Sequence, residues 1–193
     1  METGRATISR ANAHVTYPAR FQCVAAMNPC RCGHLGDPAR ECGRAPRCGE
    51  DYGMRLSGPL LDRMDLSIEV VPVPPAEMSR APAGESTAVV AARVAEARER
   101  QRARYGADGP RCNAVADGAA LERGLAVDAA ARALAEQAAE RLRFSARGFV
   151  RTLRVARTVA DLAGSETVTR AHVAEALAFR HRRADRPQAV PAA

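Results

Sequence analysis

Tryptophan is missing from the 193 residues, and only four phenylalanines and three tyrosines are present. With so few large anchors, Ala, Val and Leu must do most of the packing, which suits closely spaced helices better than a β-sandwich. No apolar run reaches the roughly 18–20 residues that crossing a bilayer requires. Met1 is followed by Glu2, Thr3 and Gly4, which is no secretory leader. The expectation is a cytoplasmic chain with no membrane partner. In that compartment, clustered cysteines point to a metal rather than to disulfides.

What is present suffices for a core: 47% of the residues are hydrophobic, in a length that suits one domain or two small ones. A net charge of +7 favours an anionic partner such as nucleotide or nucleic acid. The chain opens with Ile8-Ser9-Arg10-Ala11 and a Tyr17-Pro18 turn. Phe21 to Met27 is a short apolar run that reads as a buried strand, stopped by Asn28-Pro29. A short helix begins at Pro59, capped by Ser57 or Gly58. Leu66 to Val73 is β-branched and reads as a second strand, ended by Pro72, Pro74 and Pro75. Residues 74–85 form a Pro/Ala/Gly linker between an α/β part, residues 1–73, and an all-helical part, residues 86–180.

The helical part begins with Ser86–Tyr105, followed by short helices near 117–124 and 128–142. Ser145–Ala163 is the most periodic segment, with Phe149, Leu153, Ala156, Ala160 and Ala163 on one face, Ser145 as N-cap and Gly164 just past its end. Thr169–Arg180 is a last amphipathic helix. The composition of residues 181–193 predicts disorder.

Between the two predicted strands, residues 28–53 contain four cysteines and three prolines among several glycines, a loop or a small knuckle with little apolar surface to bury. Cys30, Cys32, Cys42 and Cys48 lie within 19 residues. Zinc takes four soft ligands at tetrahedral corners, and a Gly-rich loop folds around it without strain. The C-x-C-x9-C-x5-C spacing is looser than in an ordinary ribbon, and four reduced thiols without metal are the plain alternative. His34 is a fifth candidate ligand. Cys23 and Cys112 read as incidental thiols.

Three basic or polar positions could touch phosphate. Asn28 sits at the end of the expected strand, where open α/β sheets place ligand contacts; an Asn-Pro turn is the plain alternative. Arg63 follows Leu60-Leu61-Asp62 and could reach a neighbouring subunit's terminal phosphate, or form a local ion pair. Arg147, Arg151 and Arg154 form one stripe, with Arg147 in a first turn that the helix dipole makes unfavourable for a cation. The helix at 86–105 carries charges all round and reads as solvated.

Together these segments carry a resemblance. Ile8-Ser9-Arg10-Ala11, Pro18-Ala19-Arg20-Phe21-Gln22, Val24 to Gly33 and Arg55 to Leu66 resemble the magnesium-chelatase-like AAA+ ATPases of the ComM/YifB type. So do Ser145-Ala146-Arg147, Leu153 to Leu162 and Ala171 to Leu177 of the helical part. The resemblance implies a partial α/β core followed by a helical lid, with Asn28 as sensor 1, Arg63 as arginine finger in trans and Arg147 as sensor 2. Arg151 and Arg154 are second choices for contacting nucleotide. It implies ATP and magnesium as cofactors of the complete motor, a hexameric ring of identical subunits, and DNA as partner.

Two departures stand out. The family's Gly-rich phosphate loop ending Gly-Lys-Ser/Thr, and its strand ending in an Asp-Glu pair, do not occur here. Met1-Glu2-Thr3-Gly4 resembles the middle of the core. The implied outcome is a chain inert by itself, whether its reading frame is truncated, a remnant, or completed by a separate chain. Second, the family's second cysteine pair is Cys-x-Cys; here Arg44 stands in the second position and Cys48 lies four residues on. A non-catalytic zinc-knuckle module binding nucleic acid or protein is the competing reading. A metal-insertion subunit ranks last, because the knuckle points away from true chelatase subunits.

Overall fold

The computed structural model describes residues 4–37, 40 and 42–180; the predicted disorder at 181–193 lies outside them. The chain divides into two compact units, Met1–Arg63 and Met64–Ala193, so the division falls ahead of the stretch 74–85 where composition places the linker. The chain is mostly helical, with one small two-stranded sheet among the described residues.

In the first unit, β1 (Arg5–Arg10) and β2 (Ala13–Pro18) form an antiparallel hairpin, with Ile8 opposite Val15 and Thr7 opposite Thr16. Tyr17 and Pro18 therefore close β2 rather than forming a turn, and the reversal sits at Ala11–Asn12. Pro18 is tolerated there because it ends the strand. The buried strand expected at 21–27 is not formed: residues 19–28 have no regular structure, and Phe21, Val24 and Met27 are exposed, Val24 by 88%. Leu66 to Val73 is likewise irregular, with Val70 exposed by 85%. Both segments have the composition of strands. A strand, however, exists only by exchanging hydrogen bonds with another, and among the described residues neither has a pairing partner. Among the described residues this unit also has two short helices, α1 (Arg47–Gly53) and α2 (Gly58–Leu61). Ser57 caps α2 by accepting from the Leu60 N–H at 3.3 Å.

The second unit starts with the single turn α3 (Pro75–Met78). Then come α4 (Thr87–Tyr105), a 3-10 turn (Asn113–Val115), α5 (Gly118–Leu125), α6 (Ala129–Arg141), α7 (Ala146–Leu162) and α8 (Arg170–Ala178). The N-caps are the expected chemistry: Ser86 accepts from Val89, Asp128 from Ala131 and Ser145 from Gly148. At the other end of α7, Gly164 takes φ +71°, a left-handed conformation costly for any residue with a Cβ. α7 is the central helix, packing against α4, α6 and α8. Its Leu153, Ala156 and Ala160 are buried with Ala131, Ala135, Val168, Val173 and Ala176. The small side chains let the helix axes approach closely, as the aromatic-poor composition requires. No described helix is long and apolar enough to cross a membrane.

Candidate functional site

The cysteine knuckle is the most organised chemistry of the first unit. The sulfurs of Cys30, Cys32, Cys42 and Cys48 all lie within 4.8 Å of one another. Tetrahedral zinc with bonds of about 2.3 Å sets its sulfurs about 3.8 Å apart, so the donor set and its spread fit a four-thiolate site. Cys30 and Cys42 are buried, Cys48 is half-buried and Cys32 is exposed. The turn from Cys30 is closed by Gly33 N–H donating to the Cys30 carbonyl at 3.0 Å, and the second by Ala45 N–H donating to Cys42 at 2.8 Å. At Gly49 α1 lies close against the first turn: a Cβ there would meet the tip of the Leu35 side chain and stand 3.3 Å from the Pro29 carbonyl.

Cys48 joins the cluster from the first turn of α1. Its N–H donates to the Arg44 carbonyl at 3.0 Å as that helix begins. His34 does not join the cluster; its Nδ1 lies 3.8 Å from Asp37 Oδ2.

The thiols are electrostatically unequal. Burial raises Cys30, but hydrogen bonds from the Cys32 thiol and from the backbone N–H groups of Leu35, Cys32 and His34 outweigh it and bring the pKa down to about 6. Cys42 gains from the Arg44 backbone, yet its neighbours Cys32 and Cys48 and its burial push it up to about 12. One thiolate forms readily and the next resists, until a cation compensates the charge.

Asn28 is exposed in the irregular segment just ahead of Cys30 and does not end a strand. Arg63 follows α2 directly; it is half-buried, and its Nη1 donates to the Pro59 carbonyl at 2.8 Å. In the second unit, Arg147 is exposed in the first turn of α7, which Ser145 caps at 3.0 Å. Arg151 is largely covered and paired with Asp65, and Arg154 is half-buried. The three therefore differ in presentation, with Arg147 the outward one. Three arginines of α4 are held by nearby carboxylates: Arg93 by Glu85 in a two-bond fork of 3.0 and 2.9 Å, Arg100 by Glu96 and Arg102 by Glu99.

Sequence reasoning missed a buried polar network in the second unit. Asp161 and Arg157 are fully buried, one turn apart on α7, at 3.0 Å. Asp161 also accepts from both Arg104 terminal nitrogens and, at 2.8 Å, from Asn113 Nδ2. Arg157 donates to the Glu166 and Ser165 carbonyls, fastening the turn after α7. The signal was available: an Arg and an Asp stand on the same helical face as Leu153, Ala156 and Ala160.

Two family models match the chain in order. The one described as magnesium chelatase, subunit ChlI, matches residues 1–78, and the one described as its C-terminal part matches residues 84–180. YifB of Escherichia coli is 40% identical over 181 residues, 93% of this chain and 35% of that protein. The competence protein ComM of Haemophilus influenzae is 40% identical over 181 residues, 93% of this chain and 34% of its own length. A Mycobacterium tuberculosis protein is 42% identical over 180 residues, again 35% of its length. The chain spans about a third of the length of the curated relatives it matches.

Proposed function

The chain belongs to the magnesium chelatase (subunit ChlI) family, and from that premise we propose that it supplies the sensing and lid part of a ring-forming AAA+ ATPase of the ComM/YifB type. None of its 29 basic residues is a lysine, and no Gly-Lys-Ser/Thr loop occurs in its sequence. Its own residues therefore do not grip the β- and γ-phosphates, and the division of labour leaves it the reading of nucleotide state. Bound magnesium-ATP supplies the transferable phosphoryl group. Asn28 orients the attacking water as sensor 1. Arg63 reaches in trans toward the neighbouring subunit's nucleotide, where a guanidinium offsets charge that develops during transfer. Arg147 closes with the lid as sensor 2. Six such subunits form the ring, and DNA is the polymer it acts on.

Arg147 carries this reading. A first-turn cation is unfavourable against the helix dipole by up to about 1 kcal/mol, yet it stands exposed on a well-capped helix. A phosphate partner reverses that sign, because the same N-terminus attracts an anion. The knuckle has a separate, structural part: Cys30, Cys32, Cys42 and Cys48 hold one zinc ion that organises residues with little apolar surface of their own.

The test is a chimera in which residues 1–180 replace the matching third of the Haemophilus influenzae relative, with phosphate release as readout. The chimera hydrolyses magnesium-ATP, and Arg63→Ala and Arg147→Ala each lower turnover by roughly a hundredfold or more. Turnover unchanged in both variants sinks the assignment.

A further inference from the structure

Within the knuckle, the Cys30 and Cys32 sulfurs are already 3.1 Å apart. The two differ in access: Cys32 is exposed and Cys30 is fully buried. An oxidant can reach the first, while the second waits beside it. We propose that Cys30 and Cys32 are an oxidation site for hydroperoxides, whose disulfide dismantles the four-thiol cluster and releases its metal. The proposal rests on the zinc reading of the cluster.

The chemistry closes on named atoms. The Cys32 thiolate attacks the outer oxygen of the hydroperoxide; the O–O bond breaks, and the departing alkoxide or hydroxide takes a proton. Cys32 is then a sulfenic acid. The Cys30 thiolate attacks the Cys32 sulfur, an S–S bond forms, and the hydroxide that leaves is protonated to water. Two electrons pass from the thiol pair to the peroxide, and no further reactant is needed. The cluster then retains only Cys42 and Cys48, half the ligand set of a structural zinc site. Cys30 and Cys42 are the buried apolar residues of the described knuckle, so loss of the metal removes what holds its two turns against α1.

The sequence provides a direct readout. Arg31 lies between the two cysteines, and with no lysine present trypsin cuts only after arginine. Cys30 falls on the peptide 21–31, Cys32 on 32–40, Cys42 on 41–44 and Cys48 on 48–55. The experiment treats the full chain, carrying Cys23→Ser to simplify the first peptide, with hydrogen peroxide. Zinc release is followed with a chromophoric chelator and linked peptides by mass spectrometry. The expected result is one equivalent of zinc released in step with a 21–31/32–40 link, and both reversed by dithiol with added zinc. Zinc retained by the oxidised chain, or release accompanied by a Cys42–Cys48 link, overturns the proposal and leaves the zinc site standing. Absence of zinc from the untreated protein overturns the metal reading itself, and the proposal with it.

Discussion

At the residue scale, the position that bears most on stability is Asp161. Burial alone raises a carboxyl pKa; here hydrogen bonds from Arg104 and Asn113, with the charges of Arg157 and Arg104, reverse that and hold Asp161 below the usual carboxylate range. A depressed carboxylate contributes stability that is fully present above its unfolded pKa of about 3.9 and is lost as pH falls through the folded value. The second unit should therefore lose stability in acid below about pH 4, and Asp161→Asn should flatten that limb. At neutral pH, Asp161→Ala leaves Arg157 buried without its counter-charge, at a cost of about 3–5 kcal/mol. Denaturant melts of the helical signal at several pH values decide this; identical acid limbs for the parent and Asp161→Asn would contradict it. The cysteines were legible in the sequence because metal ligation has a spacing. Asp161 and Arg157 were not, because a buried ion pair has no pattern beyond two charges on an apolar face, and only that face's apolar members were counted.

At the element scale, the long helices were legible, while the strands and the short α1 and α3 were not. A helix satisfies its backbone locally, so the Ser145 cap and the Phe149–Leu153–Ala156–Ala160 face suffice to place α7, and the spans 86–105 and 128–142 meet α4 and α6, within a residue or two. A strand needs a partner that sequence does not name. The apolar run at 21–27 and the β-branched run at 66–73 were read as strands for their composition, while the actual hairpin, β1 with β2, went unread because its residues are exposed on both faces. The contrast is measurable by amide hydrogen exchange. Amides of 21–27 and 68–73 should exchange at rates near those of an unstructured chain, and those of α7 from Thr152 to Ala160 should be protected by orders of magnitude. Slow exchange in both predicted runs would mean that they find a pairing partner in solution. One cap can be tested alone: Ser145→Ala should cost about 1 kcal/mol, read from the same melts.

At the scale of the whole molecule, the two units rest on different physics. The second has an apolar core of its own around α7, whereas the described part of the first has a hairpin, two short helices and a four-thiol cluster. A zinc chelator should therefore collapse protection in residues 30–53 while leaving the helical melting transition of the second unit unchanged. A coincident loss of both would show that the units fold as one. The central proposal is that this chain senses nucleotide but does not grip it, in keeping with a sequence that holds no lysine. Calorimetric titration of the purified chain with magnesium-ATP, with phosphate release followed in parallel, tests that most directly. The account predicts no measurable binding and no turnover. Tight binding with steady phosphate release would contradict it, because the chain's own residues would then be gripping the phosphates.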